Sequence, residues 1–225
     1  MKAKKVVGKT FGLVPEKLSQ ASPSRPACSE CGLHEKCTAP FLTPYVPENW
    51  TGEYAFVMDT SASGEEASLR SGVPLGQSER KELKKILETT GIERTQVAFI
   101  PALRCRPVLT GSKKPKMHDI RACRPFMLRA LTQLGAKNLI VCGDTAVKSV
   151  TNTGSPGPIA KLRGREIVVP NEIPLQEKVH FNGKAFVTSA IKSLVSDPHA
   201  CTRMIEDLKR IQMPELEYPK KEIPL

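Results

Sequence analysis

The sequence predicts a three-layer α/β/α domain with a central, mostly parallel sheet. Short apolar strands alternate with amphipathic helices along the chain, and this order implies right-handed crossovers with helices on both faces of the sheet. The chain has 225 residues, of which 40% are hydrophobic and 25% are charged. These values suit one globular domain with a full core. No internal repeat is visible.

The strands are predicted from apolar runs that are bounded by loop residues. The first, "EYAFVMD" at 53–59, follows Gly52 and precedes the polar loop "TSASGEEASLRSG". The others are "QVAFIPAL", "NLIVCG", "REIVVP" and "KAFVTS". Ligands of such folds bind at the carboxyl ends of the strands. The loops that follow Asp59, Ile100, Cys142 and Ser189 are therefore the candidate site.

The helices are predicted from apolar residues at helical spacing and from their end signals. "SERKELKKILETTG" begins with Ser78 as its N-cap and ends at Gly91. In "HDIRACRPFMLRALTQLG" the apolar face consists of Ile120, Cys123, Met127, Leu131 and Leu134. "DTAVKSV" and "HACTRMIEDLKRI" complete the set.

Three segments are predicted. Residues 1–27 are basic and contain Pro and Ser, so we expect an arm laid on the surface. Residues 28–211 form the domain. Residues 212–225, "QMPELEYPKKEIPL", contain three prolines and indicate a flexible tail or a partner-binding peptide.

The formal charge of +11 favours a polyanionic partner, most often nucleic acid, over a merely basic soluble protein. No apolar run is long enough to span a bilayer, and none follows the basic start "MKAKKVVGKT". We therefore expect a cytoplasmic protein without membrane contact.

The seven cysteines are better explained as metal ligands or buried thiols than as disulfides in a reducing compartment. Cys28 and Cys31 form a CxxC pair, and Cys105 and Cys123 bracket a basic loop. Four thiolates suit tetrahedral zinc or an iron–sulfur cluster. Cys37 would be a fifth ligand and is treated as a spare, and His34 beside it resembles a zinc ligand. The alternative is that these thiols are small buried hydrophobes.

Several motifs in a common order resemble the iron–sulfur uracil-DNA glycosylases, the family-4 branch of that superfamily. They are "CSECGLHEKCT", "SGVPLG", "GIERTQVAFIPALRCRP", "LIVCGDTAVKSV", "KLRGREIVV" and "VTSAIKSLVSDP". The likeness extends from about Cys28 to Ile211. It implies the uracil-DNA glycosylase fold, and it implies that Cys28, Cys31, Cys105 and Cys123 hold a four-iron, four-sulfur cluster.

The resemblance also implies that the catalytic positions are degenerate. The family's Gly-Glu-x-Pro-Gly loop is similar to "MDTSAS", which leaves Asp59 as the nearest carboxylate. Leu75 stands for the pocket phenylalanine, Pro101 for the uracil-reading asparagine and Ala190 for the histidine. Leu75 offers no aromatic face, and Pro101 offers no side-chain donor or acceptor.

Two replacements for the lost chemistry are considered. His180 or His199 would take over as a donor, or Lys192 would act as a Schiff-base nucleophile. Either would support the rival interpretation, an active glycosylase with a pocket rebuilt for uracil or another modified base.

Basic residues near the predicted site suit DNA phosphates. They are Arg104, Arg106, Lys113, Lys114, Lys116, Lys161, Arg163, Arg165 and Lys192. The alternative is that such runs are solvated surfaces.

The sequence as a whole predicts a catalytically inactive, uracil-DNA-glycosylase-like DNA-binding protein. We expect it to act in replication or repair as an accessory factor of a protein partner such as a DNA polymerase. A third hypothesis is a protein-binding regulator without DNA contact. Its affinity for its partner would be insensitive to salt.

Overall fold

The computed structural model describes residues 31–39, 42–60, 75–107, 115–170 and 181–213. Five strands form the main sheet in the order β3-β2-β5-β7-β6. They are β2 (Tyr54–Met58), β3 (Val97–Pro101), β5 (Asn138–Cys142), β6 (Glu166–Ile167) and β7 (Lys184–Thr188). A two-stranded antiparallel sheet pairs β1 (Cys37–Ala39) with β4 (Arg106–Pro107). The predicted arm 1–27 and residues 214–225 of the predicted tail lie outside the described residues.

The helices in chain order are α1 (Gln77–Thr90), α2 (Met117–Leu134), α3 (Asp144–Thr151), α4 (Ile159–Leu162), α5 (Ser193–Ser196) and α6 (Ala200–Gln212). Short 3-10 turns span Leu33–Lys36 and Arg94–Gln96. None of these described helices is both long and apolar enough to cross a bilayer.

The predicted three-layer architecture is confirmed by how β2 and β5 divide their side chains between the two faces. Phe56 and Ile140 belong to a core with α1 and α6, whereas Val57 and Val141 belong to a second core with α2 and α3. Alternate residues of a strand point to opposite faces, so a fully buried strand supplies both cores. The four strands β3, β2, β5 and β7 are parallel, and β6 is antiparallel to β7.

Three element boundaries differ from the sequence prediction. The N-cap of α1 is Gly76, not Ser78, and the Gly76 N–H donates to Glu79 Oε2 at 2.8 Å. A glutamate at the third helical position accepts the N–H of the N-cap residue, and this bond stabilises a helix start at Gly76. Strand β6 is only two residues long because it forms the antiparallel edge of the sheet. Gln212, assigned to the tail, is the last residue of α6.

Candidate functional site at the carboxyl edge of the sheet

The predicted site loops meet at one edge of the sheet. Strand register aligns Met58 with Pro101 and with Cys142, and Cys142 with Thr188. The four parallel strands therefore end side by side. Asp59, Pro101 and the segment 189–190 lie at this carboxyl edge, as the strand pattern predicted.

Asp59 binds the start of a helix. Its Oδ1 accepts a hydrogen bond from the Ala146 N–H at 2.9 Å, and Ala146 is the third residue of α3. Burial raises the pKa of this carboxyl group, while the Ala146 hydrogen bond and the positive charge of Lys192 act in the opposite direction. A carboxylate in this position satisfies an otherwise unpaired helix N–H group and interacts favourably with the helix dipole.

Gly143 permits this close approach. Its φ of +105° lies in a region that favours glycine, and a Cβ there would lie 2.5 Å from Asp59 Oδ2. The carboxylate is therefore packed against the backbone at the start of α3. The Gly-x-x-Ala motif of "LIVCGDTAVKSV" supplies both the glycine and the Ala146 donor.

Apolar side chains fill the space beneath the site loops. Leu75 and Ile191 are 1% and 3% exposed, and they belong to the same core cluster as Met58 and Cys142, the last residues of β2 and β5. The Cys142 thiol is fully enclosed, and burial, Asp59 and Asp207 together raise its pKa strongly. Pro101 is also buried. These positions supply packing and no polar group for a bound base.

An ionic network that the sequence analysis missed holds the end of β7. The Thr188 hydroxyl donates to Asp207 Oδ2 at 2.8 Å, and Arg163 Nε donates to the same oxygen at 3.1 Å. Burial raises the pKa of Asp207, opposed by the Thr188 hydrogen bond and by Arg163. Asp207 lies on the apolar face of α6 between Met204 and Ile211, and a charge in that position was the signal for a buried partner.

The predicted basic residues fall into two groups. Arg104 is buried, donates to the Leu42 carbonyl at 3.2 Å and stacks over Phe126, and Arg163 binds Asp207. These two guanidinium groups therefore stabilise the fold, which disfavours their predicted role as phosphate contacts. Half-buried Arg106 and Arg165 and exposed Lys116, Lys161 and Lys192 form the second group, while Lys113 and Lys114 lie outside the described residues.

Part of the second group flanks the end of β7. The Gly164 N–H donates to the Val187 carbonyl at 2.9 Å, and the Val187 N–H donates to the Arg165 carbonyl at 3.2 Å. Val187 precedes the last residue of β7, and Lys192 follows that strand by four residues. Arg165 and Lys192 are thereby brought to the same edge of the sheet as Asp59.

The structure describes two of the three residues that were considered as replacements for the missing catalytic groups. Lys192 is exposed and close enough to Asp59 for its charge to lower the pKa of that carboxyl group. His199 is exposed and precedes α6, and its backbone N–H donates to Asp197 Oδ1 at 2.9 Å. His180 lies outside the described residues.

Three chain segments, which carry Cys31 and Cys37, Cys105, and Cys123, pack against one another, and together they are called the cysteine lobe. Leu33 packs against Leu103, Ile120 and Cys123. The Leu42 N–H donates to the Arg104 carbonyl at 2.6 Å, and β1 pairs with β4 directly after Cys105. The segment that carries the CxxC motif is therefore held beside the segments that carry the two later cysteines.

The structure describes three of the four predicted cysteine ligands. Cys105 and Cys123 are buried, and Cys31 and Cys37 are half-buried. Cys28 and the His34 side chain lie outside the described residues. Within the described ranges no three His, Cys, Asp or Glu side chains are grouped as a metal site. The four-cysteine site remains a prediction, because one of its four members is not described.

Comparison with known proteins identifies the family. The model of the family described as "Uracil DNA glycosylase superfamily" matches residues 60–208. The type-4 uracil-DNA glycosylase of Archaeoglobus fulgidus is 28% identical over 116 residues, which cover 52% of this chain and 54% of that protein. The type-4 uracil-DNA glycosylase of Sulfurisphaera tokodaii is 24% identical over 144 residues, covering 63% of this chain and 62% of that protein. The chain thus spans about half to three fifths of these relatives.

Proposed function

Because the chain belongs to the uracil DNA glycosylase superfamily, we propose that it is a catalytically inactive, DNA-binding member of that family. It serves as an accessory protein in replication or repair, in association with a protein partner such as a DNA polymerase. The observation that carries this proposal is that the strand-end site is packed with apolar side chains. The Asp59 carboxylate is bound to the start of α3, and apolar side chains fill the space beneath it.

Base removal makes chemical demands that the described residues of this edge do not meet. An enzyme that removes a base flips it into a pocket and reads its edge by hydrogen bonds and stacking. It also needs a donor for the charge that develops on the leaving base. Leu75, Pro101 and Ala190 supply no aromatic face, no amide and no such donor. Losing a transition-state donor alone costs roughly 3–4 kcal/mol, a rate factor of several hundred or more.

Asp59 is poorly suited to replace a catalytic carboxylate. A general base must reach the attacking water, and Asp59 Oδ1 already accepts the Ala146 N–H at 2.9 Å. The close packing of Asp59 against Gly143 limits the room on the other side. A structural role for this carboxylate, as a cap of α3, explains both contacts.

DNA binding is supported by charge at the same edge. The net charge is +11, and Lys161, Arg165 and Lys192 lie on or beside the segments that flank the end of β7. Lysine and arginine neutralise phosphates without reading bases, which fits a protein that binds DNA with little sequence preference.

The proposal includes a four-iron, four-sulfur cluster held by Cys28, Cys31, Cys105 and Cys123, with zinc as the alternative metal. The packing of Leu33 against Cys123 supports it, because that contact holds the first cysteine segment against α2. When bound, the cluster supplies no reaction step and joins the cysteine segments to the sheet. Buried Cys105 and Cys123 fit this structural role.

A second candidate function is a glycosylase with a rebuilt pocket. The electrostatic proximity of Lys192 to Asp59 favours it, since an amine beside a carboxylate is one arrangement for Schiff-base chemistry. This candidate requires that some modified base be released from DNA. The release would then be lost in Lys192→Ala.

The DNA-binding part is tested by the salt dependence of affinity for a short duplex and a single strand. Lys161→Ala/Lys192→Ala removes two exposed charges near the carboxyl edge. Lys137→Ala/Lys184→Ala removes two exposed charges at the amino ends of β5 and β7. Each phosphate contact contributes about 0.9 to the slope of log affinity against log salt for duplex DNA.

The first variant is expected to reduce that slope by up to about two, and the second to leave it unchanged. Equal effects of the two variants would show that DNA does not bind at this edge. Lys113→Ala/Lys114→Ala/Lys116→Ala tests the neighbouring basic loop by the same measurement.

A further inference from the structure

A groove that includes Leu75, from the loop after β2, lies between α1 and the edge strand β3, with a volume of about 500 Å³. Its described lining is apolar along the floor and charged along the rim. The floor consists of Leu75, Leu83, Leu87, Ile92, Val97 and Phe99. The rim includes Arg80, Lys84 and Arg94 as well as Glu88 and Glu93. The groove therefore suits an apolar segment with acidic residues on its outer side.

The last described residues of the chain lie at one end of this groove. Gln212 Nε2 donates to the Thr90 carbonyl at 3.0 Å, and the next two residues after Thr90, Gly91 and Ile92, line the groove. Met213 is 58% exposed. The described part of the chain consequently ends beside the groove, at the end of α1.

The segment that follows has a pattern that fits the groove. In "PELEYP", residues 214–219, acidic and apolar residues alternate, so Leu216 and Tyr218 share one face of an extended backbone and Glu215 and Glu217 the other. The 14-residue helix α1 is about 21 Å long, at about 1.5 Å per residue. About seven extended residues cover that distance, so the segment 214–225 is long enough.

We propose that the groove between α1 and β3 holds the chain's own segment 214–225. Leu216 and Tyr218 pack against the apolar floor, and Glu215 and Glu217 lie towards the cations of the rim. The segment thereby fastens α6 to α1. A protein partner that bound this segment would have to displace it from the groove.

The test uses the full chain with the photoreactive residue p-benzoylphenylalanine in place of Tyr218. After illumination, peptide mass spectrometry of the monomer is expected to find crosslinks to residues 75–99. A probe at Val168, which is 81% exposed near β6, serves as the matched control and is expected to give no such crosslinks. Mixing isotopically light and heavy chains distinguishes crosslinks within one chain from those between two copies.

Crosslinks only between copies, or none to residues 75–99, would overturn the proposal. Hydrogen exchange gives a second measurement without a probe. Leu216→Ser/Tyr218→Ser is expected to speed amide exchange in residues 87–99 several-fold, whereas Lys220→Ser/Lys221→Ser leaves it unchanged. Unaltered exchange in both variants would equally overturn the proposal. Neither result depends on DNA binding or on glycosylase activity.

Discussion

The carboxyl edge of the sheet and the cysteine lobe differ in which side-chain chemistry is present. At the carboxyl edge the parallel strands end side by side, and one of them leads into the Gly143 turn and the helix that follows it. Leu75, Pro101 and Ile191 at this edge are apolar and buried. In the lobe, the chain segments that carry Cys31, Cys105 and Cys123 are held beside one another.

The two regions correspond to two roles of reactive side chains, namely metal binding and catalysis. A thiolate that holds a metal contributes directly to folding, because the metal binds only the folded arrangement. A catalytic donor contributes to the transition state and often costs stability. Under the proposed function the cysteines serve the first role, whereas Leu75, Pro101 and Ala190 lack the groups needed for the second. Substitutions in the two regions should therefore change different properties.

The largest effect is expected from Cys105→Ser. Wild-type protein purified without oxygen should be brown and contain about four irons per chain, and the variant should lose both the colour and the metal. Its unfolding temperature should fall substantially, since structural metal sites contribute on the order of 10 kcal/mol to folding. Iron analysis, visible absorption and thermal unfolding provide the measurement.

Cys201→Ser is the matched control. Cys201 is half-buried, and its thiol contacts the Leu194 carbonyl at 3.6 Å, away from the predicted ligands. This variant should keep the colour and the iron. A colourless wild-type protein with one zinc per chain would exclude the cluster and leave a zinc site in its place.

A smaller effect is expected at the carboxyl edge from Gly143→Ala. The added Cβ would lie 2.5 Å from Asp59 Oδ2 at a φ of +105°. Overpacking and backbone strain of this kind cost about 1–3 kcal/mol each. Gly154→Ala is the control, because nothing lies within 4 Å of its added Cβ. Urea unfolding that gave equal stability for both variants would contradict the packing of Asp59 against the turn.

The smallest effect is expected from Asp59→Asn and depends on pH. Burial raises the pKa of Asp59 above its ordinary value of 3.8, so the folded state holds this proton more tightly than the unfolded state does. The stabilisation is complete below the unfolded pKa and is lost as the pH rises through the folded pKa. At neutral pH the ionised, buried carboxylate therefore costs stability.

Asparagine removes that cost and still accepts the Ala146 N–H. Asp59→Asn should thus be slightly more stable than wild type at pH 7, and the difference should vanish below about pH 4. Glu88→Gln, an exposed change on α1, is the control and should behave like wild type at both values. A variant that was less stable at pH 7 would show that the charge of Asp59 stabilises α3 more than burial opposes it.

The sequence predicted the layers and the strand-end loops because both follow from periodicity. Strands such as 54–58 are apolar throughout, and parallel order follows from the alternation with helices. The pairing of Arg163 with Asp207 was not predicted, because the two residues are 44 positions apart and only the folded chain brings the end of α4 beside α6. The contacts of Arg104 were not predicted for the same reason, since its partners Leu42 and Phe126 lie far along the chain.

The residues at which some helices begin or end were also not predicted correctly from the sequence. Ser78 is a good N-cap residue, yet α1 starts earlier because Glu79 reaches back to the Gly76 N–H. The groove beside α1 had no signal in a single sequence, because its floor residues are ordinary core residues of two different elements.

The contrast between the two regions is sharpened by Ala190→His. The histidine restores the family's donor at one position, but Leu75 and Pro101 still deny the base an aromatic face and an amide partner. Groups that act as a unit are not additive, so a single reversion should recover little activity. The variant is expected to release no uracil above the wild-type background.

The central claim is tested most directly by incubating excess protein with DNA that contains uracil or one of a panel of damaged bases. Free bases are measured by mass spectrometry, and borohydride is added to trap any Schiff base. We predict that wild-type protein binds the DNA, releases no base and forms no trapped complex. Release of a base that is lost in Lys192→Ala, or a complex trapped through Lys192, would contradict the account and identify an active glycosylase.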